Sequence, residues 1–211
     1  MSISEDIHRN VKGSEEFTAY DPEGNEVQFI QYSQEEARWL AMKPDAELGS
    51  CSFAECTTQV AYAVKDDANM RDFYTKGLGL RMAGRLTYAD LAEAMQNAGA
   101  PEKELSVVKM KKDAPWIDYI EISNHQYLEL FYDTGTEGES VGDLSGYYGY
   151  QHISIEVDDI ENAWNAVVSN GLKPDSGITL GCDGAYQFWL TDPDGNRLEL
   201  HCYTDRSKQL V

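Results

Sequence analysis

One repeated pattern constrains the fold of this 211-residue chain more than any other feature. Residues 59–82 read QVAYAVKDDANMRDFYTKGLGLRM, and residues 151–173 read QHISIEVDDIENAWNAVVSNGLK. Each segment begins with an alternating apolar pattern that predicts a strand. An Asp-Asp pair that suits a helix start follows, and a Gly-Leu pair later indicates where that helix ends. The chain therefore contains two copies of one strand–helix unit.

A second repeat consists of two hairpins. Residues 17–33 read FTAYDPEGNEVQFIQYS, and residues 188–204 read FWLTDPDGNRLELHCYT. In both, two predicted strands flank an Asp-Pro-acid-Gly-Asn turn, where Pro suits the second position and Gly supplies a positive φ. No strand–helix unit precedes the first hairpin in the sequence, whereas one precedes the second. We interpret it as the end of a third unit that could add strands to a sheet, cover a cup-shaped site or contact a second chain.

The remaining pattern divides the chain into segments. Further strands follow the two repeated helices, at 116–123 and 126–133 in the first unit and at 177–181, 185–191 and 196–203 in the second. The predicted organisation is an N-terminal extension at 1–50 with a short helix at 34–42, a first β-α-β-β-β module at 56–133 with a helical insertion at 86–104, a linker at 134–148, and a second module at 149–205. We expect Gly99 and Pro101 to end the inserted helix, and the basic run at 107–112 to be a solvated strand end.

The charge excludes two classes of partner. Lys and Arg number 17 and Asp and Glu number 37, so the formal charge is 17 − 37 = −20. Such a negative field repels nucleic acid backbones and anionic membranes, which leaves a small-molecule substrate as the expected partner. The N-terminus has neither the basic nor the apolar region of a signal peptide, and no apolar run reaches the ~18 residues of a membrane span. We therefore expect a cytoplasmic protein. Its cysteines, which match no zinc pattern, are expected to be buried and reduced: Cys51, Cys56, Cys182 and Cys202.

The paired modules carry two specific motifs, DFYTKGLGL at 72–80 and LTDPDGNRLEL at 190–200. Together they resemble the vicinal oxygen chelate superfamily, which includes glyoxalases, bleomycin resistance proteins and extradiol dioxygenases. The resemblance implies an α+β fold in which paired βαβββ modules form a cup, and a homodimer as the assembly.

The resemblance also implies a metal centre. In this superfamily the first and last strands of each module donate ligands, and the matching positions here are Gln59, Glu129, His152 and Glu199. Such a set suits a divalent Zn, Ni, Co, Mn or Fe(II) ion. A cup-facing carboxylate or imidazole among apolar neighbours is also costly unless it is paired or binds an ion.

Three further residues share these positions or faces. His201 lies on the face of Glu199, where it could contact substrate or serve as an alternative ligand, and Glu156 lies on the face of His152. Gln28 of the first hairpin occupies the position that matches Glu199. We attribute it to repeat ancestry and not to a second metal site.

The resemblance implies glyoxalase-type chemistry without glutathione. The metal would act as a Lewis acid on a carbonyl substrate, and Glu129 or Glu199 would move a proton as general base. Ala63 and Asp133 stand where the glutathione-binding enzymes have Arg and Asn.

Two alternatives remain. One is an extradiol-type Fe(II) dioxygenase, which would need a His at position 59. The other is a metal-free binding protein of the bleomycin-resistance type with an aromatic cleft drawn from Tyr127, Phe131, Tyr147, Tyr148, Tyr150, Phe188 and Trp189.

Overall fold

The computed structural model describes residues 2–3, 6–43, 56–132 and 151–210. The described strands are β1 (Ser2–Ile3), β2 (His8–Arg9), β3 (Glu15–Tyr20), β4 (Glu26–Gln31), β5 (Gln59–Val64), β6 (Arg81–Thr87), β7 (Pro115–Ser123), β8 (Gln126–Tyr132), β9 (Ile153–Glu156), β10 (Thr179–Leu180), β11 (Tyr186–Thr191) and β12 (Arg197–Cys202). The described α-helices are α1 (Gln34–Trp39), α2 (Asp67–Asp72), α3 (Tyr88–Asn97), α4 (Glu102–Met110) and α5 (Ile160–Ser169). A π-helical turn, Phe73–Gly77, continues α2.

The described strands form three sheets of four strands. The N-terminal sheet has the order β1-β3-β2, with β4 paired to β3. The middle sheet has the order β5-β8-β7-β6, and the C-terminal sheet has the order β9-β12-β11-β10. In the last two sheets the first strand of a module therefore pairs with its fourth strand. The predicted α+β fold of paired βαβββ modules is confirmed.

The two Asp-Pro turns are alike in atomic detail. The Oδ1 of Asp21 accepts hydrogen bonds from the backbone N–H groups two and four residues later, both at 2.9 Å. Asp192 Oδ1 accepts the equivalent bonds at 3.0 and 2.8 Å. The φ angles of Gly24 and Gly195 are 86° and 94°, which disfavours any residue with a Cβ. The hairpin repeat seen in the sequence is thus a repeat of structure.

The predicted helix caps are also present. Asp66 caps α2 by accepting from the N–H of Asn69 at 3.1 Å, and Asp159 caps α5 by accepting from the N–H of Asn162 at 2.9 Å. These side chains satisfy backbone donors that the first helical turn leaves without a partner.

Replacing Asp159 with alanine should lower the free energy of unfolding by about 1 kcal/mol, because the first turn of α5 loses its side-chain acceptor. Urea unfolding followed by far-UV circular dichroism measures this change. The matched control is Asp158→Ala, since Asp158 is exposed and precedes the cap. Equal losses in the two variants would contradict the capping role.

The insertion in the first module differs from expectation. The strand of the first module that the sequence did not locate is β6, which comes after the π-helical turn. The inserted helix α3 ends before Gly99 as predicted. The basic run at 107–112 is not a strand end, because a second helix, α4, occupies 102–110. Pro101 is the N-cap of α4, where its φ of −60° suits a helix start, whereas α3 ends just before Gly99, whose φ is 78°. Glu102 near the start and Lys109 in the last turn of α4 complement the helix dipole.

The chain divides into two compact units that do not follow the order of the modules. The first unit comprises Met1–Tyr62 and Met82–Tyr132, and the second comprises Ala63–Arg81 and Asp133–Val211. Helix α2 of the first module thus belongs to the second unit. There the buried Tyr74 hydroxyl donates to Asp192 at 2.8 Å, and Gly77 approaches Leu172 so closely that a Cβ would lie 2.8 Å from its side chain. The domain boundaries inferred from the sequence stay a prediction.

The N-terminal segment is part of the first unit's core. Leu40, which follows α1, is fully buried in a cluster with Leu86, Ile117 and two tyrosines of the middle sheet. Trp39 also packs edge-on against Tyr119, with 5.3 Å between ring centroids. The N-terminal extension therefore packs on the middle sheet, and the three roles considered for its hairpin stay predictions.

None of the described helices is long and apolar enough to cross a membrane. The expectation of buried thiols is wrong for Cys56 and Cys182, which are exposed, and Cys202 is half-buried. Cys51 lies outside the described residues.

Candidate functional site

The first unit contains a cavity of about 210 Å³. Residues of the N-terminal segment form one wall and residues of the middle sheet form the other. The polar and charged residues that line it are Asn10, Lys12, Glu16, Gln28, Glu36, Gln59 and Glu129. The apolar and aromatic ones are Val11, Ile30, Leu86, Trp116, Ile117, Tyr119 and Phe131.

Gln59, at the start of β5, is held by hydrogen bonds at both atoms of its amide. Its Nε2 donates to Oε1 of Gln28 at 2.8 Å, and its Oε1 accepts from the hydroxyl of Tyr32 at 3.2 Å. Tyr32 in turn lies 2.9 Å from Oγ1 of Thr58. Gln28 is therefore a partner of Gln59 in the cavity wall and is more than a trace of the repeat.

Glu129 is the most strongly perturbed carboxyl group of the cavity. It lies on β8 opposite Tyr119 of β7 and is 4% exposed. Burial, the largest cause, and the nearby carboxylates of Glu36 and Glu16 together raise the pKa of Glu129 to about 7. A hydrogen bond from Tyr119 opposes these effects without cancelling them. The group can therefore exchange a proton near neutral pH.

Two more carboxylates come from the N-terminal segment. Glu36 of α1 is 1% exposed and accepts hydrogen bonds from Ser14 Oγ and from Asn10 Nδ2, the latter at 3.0 Å. Glu16 of β3 accepts from the same Asn10 at 3.3 Å, and its Oε1 lies 3.2 Å from Nε2 of His8. Burial is the main cause that raises the pKa of Glu16.

The sequence did not predict Glu16 or Glu36 as site residues. The one signal that pointed to this region was the match between Gln28 and Glu199, because it placed the N-terminal hairpin in the position of a module's last strands. The partner of His8 was likewise not foreseen.

The second unit holds a different cluster of polar side chains. Nε2 of His152 lies 3.6 Å from Oε2 of Glu199, and Nδ1 of His201 lies 3.7 Å from Oε1 of the same carboxylate. His201 is 6% exposed, and neither of its ring nitrogens has a hydrogen-bond partner among the described residues. The ring of His152 meets Trp189 edge-on at 5.0 Å.

The four predicted ligands thus fall into two pairs. Gln59 and Glu129 line the cavity of the first unit, whereas His152 and Glu199 belong to the second unit. The second pair, an imidazole and a carboxylate, has donor types that suit a divalent ion. Both atoms of the Gln59 amide already have hydrogen-bond partners, so Tyr32 would share the amide oxygen with a bound metal. Within the described ranges no three His, Cys, Asp or Glu side chains are grouped so that they could hold one ion, and the four-residue centre stays a prediction.

The aromatic residues considered for a cleft have different surroundings. Phe131 lines the cavity and meets Trp116 edge-on. Tyr127 and Phe188 are 1% and 0% exposed and belong to the packed interior, and neither lines the cavity of the first unit. Trp189 stacks with Arg197, whose guanidinium carbon lies 4.3 Å from the ring centroid. The remaining candidates, Tyr147, Tyr148 and Tyr150, lie outside the described residues. Asp133 also lies outside them.

Comparison with known families agrees with this architecture. The family model of the Glyoxalase/Bleomycin resistance protein/Dioxygenase superfamily matches residues 57–200, which is more than half of the chain. The chain belongs to this superfamily. The matched residues include both βαβββ modules of this superfamily member. They leave out the N-terminal segment that forms one wall of the cavity.

Solved structures with similar folds have low sequence identity to this superfamily member. The lactoylglutathione lyase of Agrobacterium tumefaciens is 15% identical with a TM-score of 0.45, and the match covers 71% of this chain and 94% of that one. A glyoxalase/dioxygenase of Nostoc punctiforme is 18% identical with a TM-score of 0.47, covering 77% and 100% of the two chains. TioX of Micromonospora sp. ML1 is 14% identical with a TM-score of 0.46, covering 71% and 99%.

Proposed function

We propose that the protein is an enzyme that binds a small carbonyl compound in the cavity of the first unit and moves a proton with Glu129. One observation carries this proposal: a carboxyl group that is 4% exposed and has a pKa of about 7 lies on the wall of a cavity. Strongly perturbed carboxyl groups in cavities are candidates for general acid–base catalysis.

The chemistry follows from the state of that carboxyl group. A general base works best when its pKa is near the working pH, because it is then ionised in part and still basic enough to accept a proton. Glu129 would take a proton from the hydroxyl-bearing carbon next to the carbonyl group and return it to the carbonyl carbon. The hydroxyl proton would pass to the former carbonyl oxygen, which completes the isomerisation of an α-hydroxycarbonyl substrate. The hydroxyl of Tyr119 keeps the carboxylate oriented through its hydrogen bond.

A metal is a separate part of the proposal. His152 and Glu199 would supply two of the ligands of a divalent ion, and such an ion polarises a carbonyl oxygen as a Lewis acid when bound. The homodimer implied by the resemblance also stays a prediction.

Hydrogen–deuterium exchange tests the proton transfer and does not require the natural substrate. We expect the protein to exchange the α-protons of at least one member of a panel of small hydroxy- and amino-carbonyl compounds in D₂O, as followed by NMR. The rate should rise with pH through about 7, since Glu129 acts as a base in its ionised form. Glu129→Gln should slow the exchange by about 10²–10⁴-fold. Equal rates for the variant and the wild type would contradict the role of Glu129.

A metal-free binding protein is the second candidate. The hydrogen bond between Gln59 and Gln28 favours it, because it engages the amide of one of the four predicted ligands. A protein that binds members of the panel but exchanges none of their protons would support this candidate over the enzyme.

A further inference from the structure

We propose that the cavity of the first unit selects a small organic cation, a ring-bearing amine in its protonated form, over neutral and anionic molecules of the same shape. The proposal deepens the proposed function and rests on it for placing the substrate in this cavity. Four properties of the cavity support it: its charge, the way its carboxylates are bonded, its aromatic wall and its size.

The charge of the lining is unbalanced. Three carboxyl groups line the cavity, those of Glu16, Glu36 and Glu129, against one cationic side chain, Lys12. Lys12 has other partners, since its Nζ lies 3.9 Å from the carboxylate of Asp90 and 5.0 Å from the centre of the Trp39 ring. A cationic ligand would supply the charge that the lining lacks.

The carboxylates are held in place mostly by neutral donors. Asn10 bridges Glu16 and Glu36 through one amide nitrogen, Ser14 donates to Glu36, and Tyr119 donates to Glu129. These donors satisfy hydrogen bonds and fix the positions of the oxygens, but they carry no charge. A further partner, His8, lies 3.2 Å from Glu16 and offsets part of the negative charge when it is protonated. The lining is therefore ordered before a ligand arrives and is negative to the extent that its carboxyl groups are ionised, which repels an anion and attracts a cation.

The other wall of the cavity is aromatic. Trp116 and Phe131 meet edge-on with ring centroids 6.3 Å apart, and both line the cavity together with Tyr119. Aromatic faces attract ammonium groups, most strongly in sites that exclude water, and they pack equally well against an apolar ring. An anion would gain nothing from these faces.

The size of the cavity limits the ligand. A cavity of about 150 Å³ accommodates benzene, so the volume of about 210 Å³ leaves room for one ring with a short substituent. Benzylamine, which is protonated at neutral pH, has this size, and benzyl alcohol and benzoate are its neutral and anionic counterparts.

Isothermal titration calorimetry with these three probes tests the inference on the full-length protein. We expect benzylammonium to bind at least tenfold more tightly than benzyl alcohol, and benzoate to show no binding. Chemical shift changes at the indole N–H of Trp116 should accompany the binding and locate it in the cavity. The comparison uses only the wild-type protein, so it does not depend on the folding of a variant.

A variant pair separates the charge from the shape of the cavity. Glu16→Gln should weaken benzylammonium binding about tenfold and leave benzyl alcohol binding unchanged, since it removes one charge and keeps the side-chain volume. Glu23→Gln, an exposed position in the turn of the same hairpin, makes the same change of charge outside the cavity and should alter neither.

Other results of the binding experiments overturn the inference. Tighter binding of the alcohol or of benzoate, or equal losses in the two variants, would show that the cavity does not select for a cation. The proton-exchange experiment would still stand in that case, because the hydroxycarbonyl members of its panel report on Glu129 and carry no charge. Failure of exchange together with cation-selective binding would instead overturn the proposed enzyme and leave a cation-binding protein.

Discussion

Replacing Glu129 with glutamine is expected to increase the free energy of unfolding by about 3 kcal/mol at pH 8 and to change it little below pH 4.5. The carboxyl group ionises with a pKa of about 7 in the folded chain against an ordinary value of 4.5. The folded state therefore holds the proton more tightly than the unfolded state. The stability that this tighter proton binding contributes is fully present below pH 4.5 and is lost as the pH rises through about 7. The difference of about 2.5 units between the two pKa values corresponds to about 3 kcal/mol of stability.

Urea unfolding of the wild type and Glu129→Gln between pH 4.5 and 8 measures this difference directly. Using the difference between the two proteins removes the contribution of all other titrating groups. Glu23→Gln serves as the control, because an exposed carboxylate has no such penalty. A difference between Glu129→Gln and the wild type that stays constant over this pH range would contradict the raised pKa.

The same substitution should have opposite effects on stability and on proton exchange. The buried charge that weakens the fold above pH 7 is the one that would accept a proton from a substrate. Such a conflict is common where activity needs a group that the fold alone would not favour. A variant that is more stable and inactive would therefore support the proposed role better than inactivity alone.

Replacing Leu40 with alanine is expected to lower the free energy of unfolding by about 2–5 kcal/mol, which is the range for a fully buried leucine. Leu40 is 0% exposed and contacts the cluster that includes Leu86 and Ile117 of the middle sheet. The loss would combine the removed contacts with the void that remains, since the strands around the site can relax only in part.

The control for Leu40 is Met110→Ala at the end of α4, where the side chain is 79% exposed. This variant should change the stability by less than about 0.5 kcal/mol. Both are measured by urea unfolding at one pH. A loss below about 1 kcal/mol for Leu40→Ala would show that the N-terminal segment contributes little to the core of the first unit.

The sequence predicted those parts of the fold that depend on local contacts. The Asp-Pro turns, the caps at Asp66 and Asp159 and the two strand–helix repeats each involve residues close together in the chain, so their side chains and spacing are sufficient to identify them. The basic run at 107–112 was misassigned because Pro101 was taken as an end, although the same fixed φ also starts a helix.

The site was predicted only in part because half of the cavity comes from a distant segment. Gln59 and Glu129, which the modules predict as metal ligands, both line the cavity, and their role as ligands stays a prediction. Glu36 could not be found in this way, because a glutamate in a short polar helix is typical of an exposed surface. It is buried because the N-terminal segment packs on the middle sheet, which is a tertiary contact without a local signal.

The hydrogen bond between Tyr74 and Asp192 has a consequence for biosynthesis. These residues are 118 positions apart, and Tyr74 emerges from the ribosome first during translation. At about 5–20 residues per second, helix α2 would wait roughly 6–24 s for its partner to be made. Because the chain enters the second unit at Ala63, leaves it after Arg81 and returns at Asp133, the ribosome delivers the two units interleaved and not one after the other. Nascent chains that stop at Tyr132 would therefore expose the buried face of α2, and we expect them to be substrates for chaperones until the C-terminal sheet is complete.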